Sequence, residues 1–305
     1  METVTMRITS FAELEQEARQ AGPRVVAVVS PQEYEVLLAV TEAHKKGLAR
    51  FILVGDVALI RAVAAEHQMD VSEIELLDLP DPREAAFRVM HLVGQSAAHI
   101  AMKGNVETKI FLQAALEKEF GLRTGRLLTH VAVLEVPDFP RLLLVSDAGV
   151  VVAPTLEQKV EIVQNAIAVA HRLGIEVPKV AILAANEMVN PKLPVSLDAA
   201  NLAKMAERGQ IKGGIVDGPL ALDNAVSIEA ARTKGIKSLV AGEADILITP
   251  DLESGNILAK AIIFLAKGRM AGVVTGAKAP LVVSSRADSH ESKLASIALS
   301  VVMVA

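Results

Sequence analysis

Short, continuously apolar runs alternate with longer segments of helical spacing along most of the chain. Residues 11–21 repeat apolar positions at helical intervals and stop at Gly22-Pro23. Val25, Val26, Val28 and Val29 then make 24–30 a strand with no polar face. A helix over 33–49, a strand over 51–55, a helix from 57 to about 68 and a strand over 74–79 continue the alternation. Pro82 opens a helix that the apolar pattern carries to Met102, and Gly104-Asn105 separates it from a helix over 108–120. Strands apolar on both faces and joined by amphipathic helices predict a parallel sheet covered on two sides.

The alternation breaks once. Segments 131–136 and 141–145 are strands separated only by Pro137-Asp138-Phe139-Pro140, too short for a parallel crossover, so they form a hairpin. This break is the expected domain boundary. Beyond it come a helix over 155–173, a strand over 180–184 and a helix over 197–208. The strand 215–217 ends in an Asp217-Gly218-Pro219 turn, and a helix starts at Asn224. A strand over 244–250, a helix over 257–266 and a strand over 271–274 complete the alternation. The chain thus reads as an α/β protein of two α/β units sharing one cleft.

Composition narrows the class. A length of 305 residues has room for one large or two medium domains, and 51% hydrophobic with 22% charged residues is the balance of a core-rich globular chain. A formal net charge of -5 argues against a broad nucleic-acid surface while leaving room for a local cationic pocket. Cysteine is absent, which removes disulfides, a thiolate nucleophile and cysteine metal clusters. No apolar run reaches the ~18 residues of a membrane helix, and residues 1–10 lack a signal-peptide core, so no membrane partner and a cytoplasmic location are expected.

Candidate chemistry concentrates in residues 276–293. A glycine turn leads into an apolar strand, and residues 284–293 then hold four serines, Arg286, Lys293, Asp288, Glu291 and His290 before an apolar segment resumes. A strand that feeds a polar elbow and then a helix gathers backbone N–H donors and the positive end of a helix dipole. Arg286 adds a fork that fits phosphate. The plainer reading is a capped helix, since Asp288 and Ser289 are ordinary N-cap residues, but capping needs no Ser285-Arg286 pair.

The run Ser285-Arg286-Ala287-Asp288-Ser289-His290-Glu291-Ser292-Lys293 resembles the C-terminal signature of the phosphate acetyl/butyryltransferase family, and its butyryltransferases most. Asp217-Gly218-Pro219-Leu220-Ala221-Leu222-Asp223-Asn224-Ala225 agrees, as does Ala244-Asp245-Ile246-Leu247-Ile248-Thr249-Pro250-Asp251 with Gly255-Asn256 after it. Lys103-Gly104-Asn105-Val106-Glu107-Thr108 is a weaker match. The resemblance implies two α/β/α domains in an isocitrate/isopropylmalate dehydrogenase-like arrangement. Residues 1–136 plus 278–305 would form the first domain and 137–277 the second.

It also implies transfer of a short acyl group, butyryl or similar, between coenzyme A and inorganic phosphate. The family needs no tightly bound cofactor and no metal, coenzyme A being a substrate, and a homo-oligomer is expected. Arg286, assisted by Ser285, Ser289 and Arg126, is the expected phosphate site; Lys278, Asn256 and Lys103 are the expected CoA contacts. Acetyl-specific members carry an aspartate six residues beyond the arginine, where this chain has Ser292. The general base is therefore open among Glu291, Asp288 and His290, in that order. Two other readings are an NAD-dependent, metal-assisted hydroxy-acid dehydrogenase of the same fold and a non-catalytic anion-binding protein. Against the first, the chain contains no G-x-G-x-x-G and no suitable aspartate cluster. Against the second stand the carboxylates beside Arg286.

Overall fold

The structure is a computed structural model and describes residues 7–305. In chain order, the first stretch contains α1 (Phe11–Gln20), β1 (Arg24–Val29), α2 (Tyr34–Lys45), β2 (Ala49–Gly55), α3 (Val57–Glu66), β3 (Glu75–Asp78), α4 (Pro82–Gly94), β4 (Ile100–Lys103) and α5 (Thr108–Ala115). Next come β5 (Thr129–Glu135), β6 (Leu143–Ser146), α6 (Leu156–Arg172), β7 (Lys179–Leu183), α7 (Pro194–Glu207), β8 (Ile215–Leu220), α8 (Leu222–Val226), α9 (Ile228–Thr233), β9 (Ile246–Ile248) and α10 (Leu252–Phe264). The strand β10 (Arg269–Thr275) leads to β11 (Leu281–Val282) and α11 (His290–Met303). No helix of the described residues is long and apolar enough to cross a membrane.

Two compact units share these elements. One joins Phe11–Arg126 to Ala271–Ala305 and carries the polar elbow. The other consists of residues 7–10 with Leu127–Met270 and is inserted into the first along the chain. The hairpin of β5 and β6 lies whole within the inserted unit, and the chain crosses between Arg126 and Leu127.

In the elbow unit the strands follow the order β3-β2-β1-β4-β11-β10. All are parallel to their neighbours except β10, which runs against β11. Val26 to Val29 and Ile100 to Met102 have no exposed surface, as expected of central strands covered on both faces. The helix α11 is buried from Lys293 to Val302 and packs on α1 and α2. The inserted unit has the order β5-β6-β9-β7-β8, antiparallel only between β5 and β6. Its core is built from Leu134, Val145, Ala181, Leu220 and Leu247. Asp245 ties three of its segments, bonding Arg7 at 2.6 Å and the Lys179 N–H at 2.9 Å and facing Arg141 at 3.9 Å.

Three sequence expectations are corrected. The helix opened by Pro82 stops at Gly94, and Ile100 to Lys103 is a central strand. Asp217-Gly218-Pro219 does not end a strand; β8 runs through it to Leu220. A proline is tolerated there because β8 lies at the end of the strand order, where one side of its backbone needs no ladder partner. Finally, α10 begins five residues before Ile257. Asp251 caps it by accepting from the Ser254 N–H, which leaves Gly255 and Asn256 inside the helix.

Candidate functional site

In the elbow unit β1 has β2 on one side and β4 on the other, so the chain winds away from β1 in both directions. The loops leaving the carboxyl ends of β1 and β4 therefore diverge, and such a divergence is where open α/β sheets hold ligands. Val29 stands opposite Lys103 and Met102 opposite Val282. That register delivers Ser30, Gly104 and the segment after Val282 to the same edge.

Gly104 is required there by space. A Cβ at its position would lie 2.5 Å from the carbonyl oxygens of both Val29 and Ser30, closer than any real side chain approaches. The tight fit is sealed by the Gly104 N–H on the Val29 carbonyl at 2.9 Å and the Asn105 N–H on the Ser30 carbonyl at 2.7 Å. Ser30 itself takes a left-handed φ of 46°, uncommon for a residue with a Cβ, and is fully buried.

The elbow is a tied loop. The Asp288 carboxylate accepts the Ser285 N–H at 2.8 Å, and the Asp288 N–H returns to the Ser285 carbonyl at 3.1 Å. The Ser285 hydroxyl accepts from the Ala287 N–H at 3.4 Å. Asp288 is 8% exposed, so this carboxylate braces the loop instead of capping the helix. The cap is Ser289, which accepts from the Ser292 N–H. Arg286 is left exposed at the apex.

Two buried lysines lie with it. Lys293 is 1% exposed, and its ammonium donates to the Ser285 carbonyl at 3.4 Å and to the Asp288 carbonyl. Burying an ammonium costs several kcal/mol unless its protons find acceptors, and these two carbonyls supply them. Lys103, at the end of β4, is 5% exposed and donates to the Gly104 carbonyl at 3.2 Å. Burial first, then the positive charge of Arg286 and, more weakly, of Lys293, hold its ammonium below the usual lysine range, while Glu33 and Asp288 pull the other way. Two cations, Arg286 and Lys293, thus act on Lys103 at the carboxyl end of β4. That arrangement is unfavourable by itself and is relieved by an anion.

His290 opens α11 with Nδ1 3.4 Å from Glu35 of α2 and Nε2 3.4 Å from Glu291, whose side chain is 57% exposed. His290 and Glu291 therefore form one interacting pair beside the elbow. Lys278 and Arg126 belong to a different neighbourhood. The Lys278 N–H donates to the Leu122 carbonyl at 2.9 Å, Arg123 bridges Ala277, and the Thr124 hydroxyl donates to the Gly276 carbonyl. This stitching fixes the exposed Arg126 loop to the turn at the amino end of β11, whereas the elbow follows its carboxyl end. Asn256 lies in the inserted unit, where its amide donates to the Ala148 carbonyl at 3.3 Å. Among the described residues no three His, Asp or Glu side chains are arranged to hold a metal ion.

Sequence reasoning gave no role to Lys293, Ser30 or Glu35. The available signal was Lys293, a cation in the first turn of a helix at the head of an apolar run, where the helix dipole disfavours it.

Comparison with known proteins agrees with this chemistry. A family model described as phosphate acetyl/butaryl transferase matches residues 81–301. The chain is 47% identical over 292 residues to a phosphate butyryltransferase of Clostridium acetobutylicum, covering 96% of this chain and 97% of that one. It is 46% identical over 285 residues to a phosphate acetyltransferase of Thermotoga maritima, with 93% and 96% covered. Among solved structures, a branched-chain phosphotransacylase from Enterococcus faecalis matches with a TM-score of 0.82 at 32% identity, over 92% of this chain and 99% of that one.

Proposed function

The chain belongs to the phosphate acetyl/butaryl transferase family, and on that footing we propose that it passes a short acyl group between coenzyme A and inorganic phosphate held at the Arg286 elbow. The observation that carries the placement is the grouping of Arg286 with buried Lys103 and Lys293 at the diverging carboxyl ends of β1 and β4. A phosphate oxygen attacks the thioester carbonyl, the carbon becomes a tetrahedral oxyanion, and the C–S bond breaks to release CoA thiolate, which takes up a proton. Fixed donors aimed at the phosphate and at the developing oxyanion are what this reaction demands of a protein, and coenzyme A serves as substrate with no tightly bound cofactor.

Arg286 supplies the fork, and the Ser285 and Ser289 hydroxyls sit beside it. Lys103 offers its ammonium to an anionic group of either substrate. We retain Arg126 as a second phosphate contact and Lys278 and Asn256 as CoA contacts; of the three, Asn256 stands in a family motif. The interrupted elbow unit, completed by residues 271–305, supports the isocitrate/isopropylmalate dehydrogenase-like reading of the fold. Butyryl or a similar chain is our proposed substrate. One methylene is worth only about 1–3 kcal/mol in an apolar pocket, so neighbouring chain lengths should also react.

The test is release of CoA from acetyl-, propionyl-, butyryl- and valeryl-CoA, followed with a thiol reagent with and without phosphate. Phosphate-dependent release is expected without added metal or nicotinamide. Absence of release across the series overturns the proposal.

Copies of the chain are also proposed to associate. Ile257, Phe264 and Leu265 are 68%, 56% and 82% exposed along and just beyond α10, at spacings that place them on one helical face. Sedimentation is expected to show a species larger than the 32.3 kDa chain; a monomer at every micromolar concentration would exclude it.

A further inference from the structure

We infer that Lys293 is a positioning residue for phosphate: from beneath the elbow it turns two peptide planes so that the Arg286 and Ser289 N–H groups face outward beside the guanidinium. The inference rests on the placement of phosphate at the elbow.

In a planar trans peptide the carbonyl and the following N–H point in opposite directions. Lys293, at 3.4 Å, and the Asp288 N–H, at 3.1 Å, together hold the Ser285 carbonyl inward, so the N–H of Arg286 is directed away from Lys293. Lys293 also draws the Asp288 carbonyl inward, and the N–H of Ser289 is directed away in turn. The two carbonyls bracket the apex, and the Asp288 carboxylate closes the bracket on the Ser285 N–H. Two outward N–H groups flanking an exposed guanidinium at the start of a helix suit an anion. Lys293 is enclosed, at 1% exposure, so it acts through the elbow and not by touching substrate.

Its location argues against a role in stability alone. Leu294, Ala295 and Ser296 beside it are all about as buried, and an apolar side chain would fill the slot without opposing the helix dipole. A chain that breaks a local rule at such a point commonly does so for its site.

The experiment measures kcat and both Michaelis constants for Lys293→Met and Lys293→Gln, with Arg286→Gln in parallel and circular dichroism to confirm folding. Lys293→Met is expected to raise the phosphate KM or lower its kcat/KM by about a hundredfold, the usual cost of misplacing a reacting group by an ångström, while the acyl-CoA KM moves less than about twofold. Lys293→Gln keeps one donor for one carbonyl and is expected to fall between Met and wild type. Should Lys293→Met not fold, the phosphate kcat/KM of Lys293→Gln decides.

Wild-type phosphate kinetics in a folded Lys293 variant, or equal loss for both substrates, would overturn the inference. So would failure of both variants to fold, which would make the residue structural. Arg286→Gln separates the two levels. If it is crippled while the Lys293 variants are not, only the positioning role fails. If it too binds phosphate normally, the phosphate lies elsewhere and both readings fall.

Discussion

Arg286→Gln is expected to fold like wild type and to lose about a thousandfold or more in turnover. The residue is exposed at the apex of a loop whose ties run through Ser285, Asp288 and Lys293, so its removal breaks none of the bonds that hold the elbow. Exposed substitutions away from such ties usually change stability by about 0.5 kcal/mol or less. The catalytic loss is of another order, because one preorganised donor removed from a developing charge costs about 10²–10³ in rate and the guanidinium supplies two donors and a full charge. Arg286→Lys should be nearly as poor, since an ammonium cannot reproduce the planar fork. Turnover with butyryl-CoA and the melting temperature of each purified variant check this. Wild-type turnover in Arg286→Gln would reduce the elbow to a helix start.

The second large effect is expected at Glu291. Of the three candidate bases, Asp288 is already committed, buried and accepting the Ser285 N–H, so its oxygen has a structural duty. Asp288→Asn keeps an acceptor at that place and should retain much of the rate. Glu291 is exposed and lies against His290, whose other nitrogen faces Glu35. Glu291→Gln should therefore lose about 10²–10⁴ in rate, the span of general-base catalysis, together with the acidic limb of the kcat–pH profile. The profile is read in the direction that consumes CoA and acyl phosphate, where CoA enters as a thiol: a base must be deprotonated to accept that proton, so wild-type rate falls as pH drops through its titration, and a glutamine has nothing to titrate. His290→Gln removes the ring that lies 3.4 Å from Glu291 and is expected to cost less rate than Glu291→Gln. If Glu291→Gln kept both rate and profile, the proton would be taken by a group outside this motif.

Much of the architecture could be read from the residues. The valine run of β1, the apolar strand of β2 and the hairpin around Pro137 to Pro140 appear where apolar pattern and turn chemistry place them, because in each case period and punctuation agree. The strand β4 was hidden for the opposite reason. Ile100, Ala101 and Met102 extend the apolar rhythm of α4, and nothing between Gly94 and Ile100 announces a turn as a proline would. That omission mattered, since β4 brings Lys103 near Arg286 and Lys293.

The exposed place of Arg286 in the elbow was legible because its motif is local. Lys293 was quoted in the same motif without a role, since a lysine in a helix's first turn ordinarily reads as surface. Only the burial of α11 against α1 and α2 reveals that the ammonium is enclosed. Lys278 stands five residues before Val283 yet belongs to the opposite end of β11 from the elbow, a separation that the sequence alone does not display.

The way the elbow unit is threaded also bears on how the chain is made. Its sheet begins with β1 but lacks β11, a strand between β4 and β10, until residues 281–282 are present, and its core lacks α11 until residue 302 is near. Leu127–Met270 emerges from a ribosome in between and has nearly all its own strands in one stretch. Synthesis from the N-terminus thus gives the inserted unit time to fold while the earlier one waits with an open sheet edge, exposed to the unproductive pairings that such edges invite. Arg286 arrives on the same segment that ends this wait, so the proposed capacity to grip phosphate and the closure of the unit come to the nascent chain together.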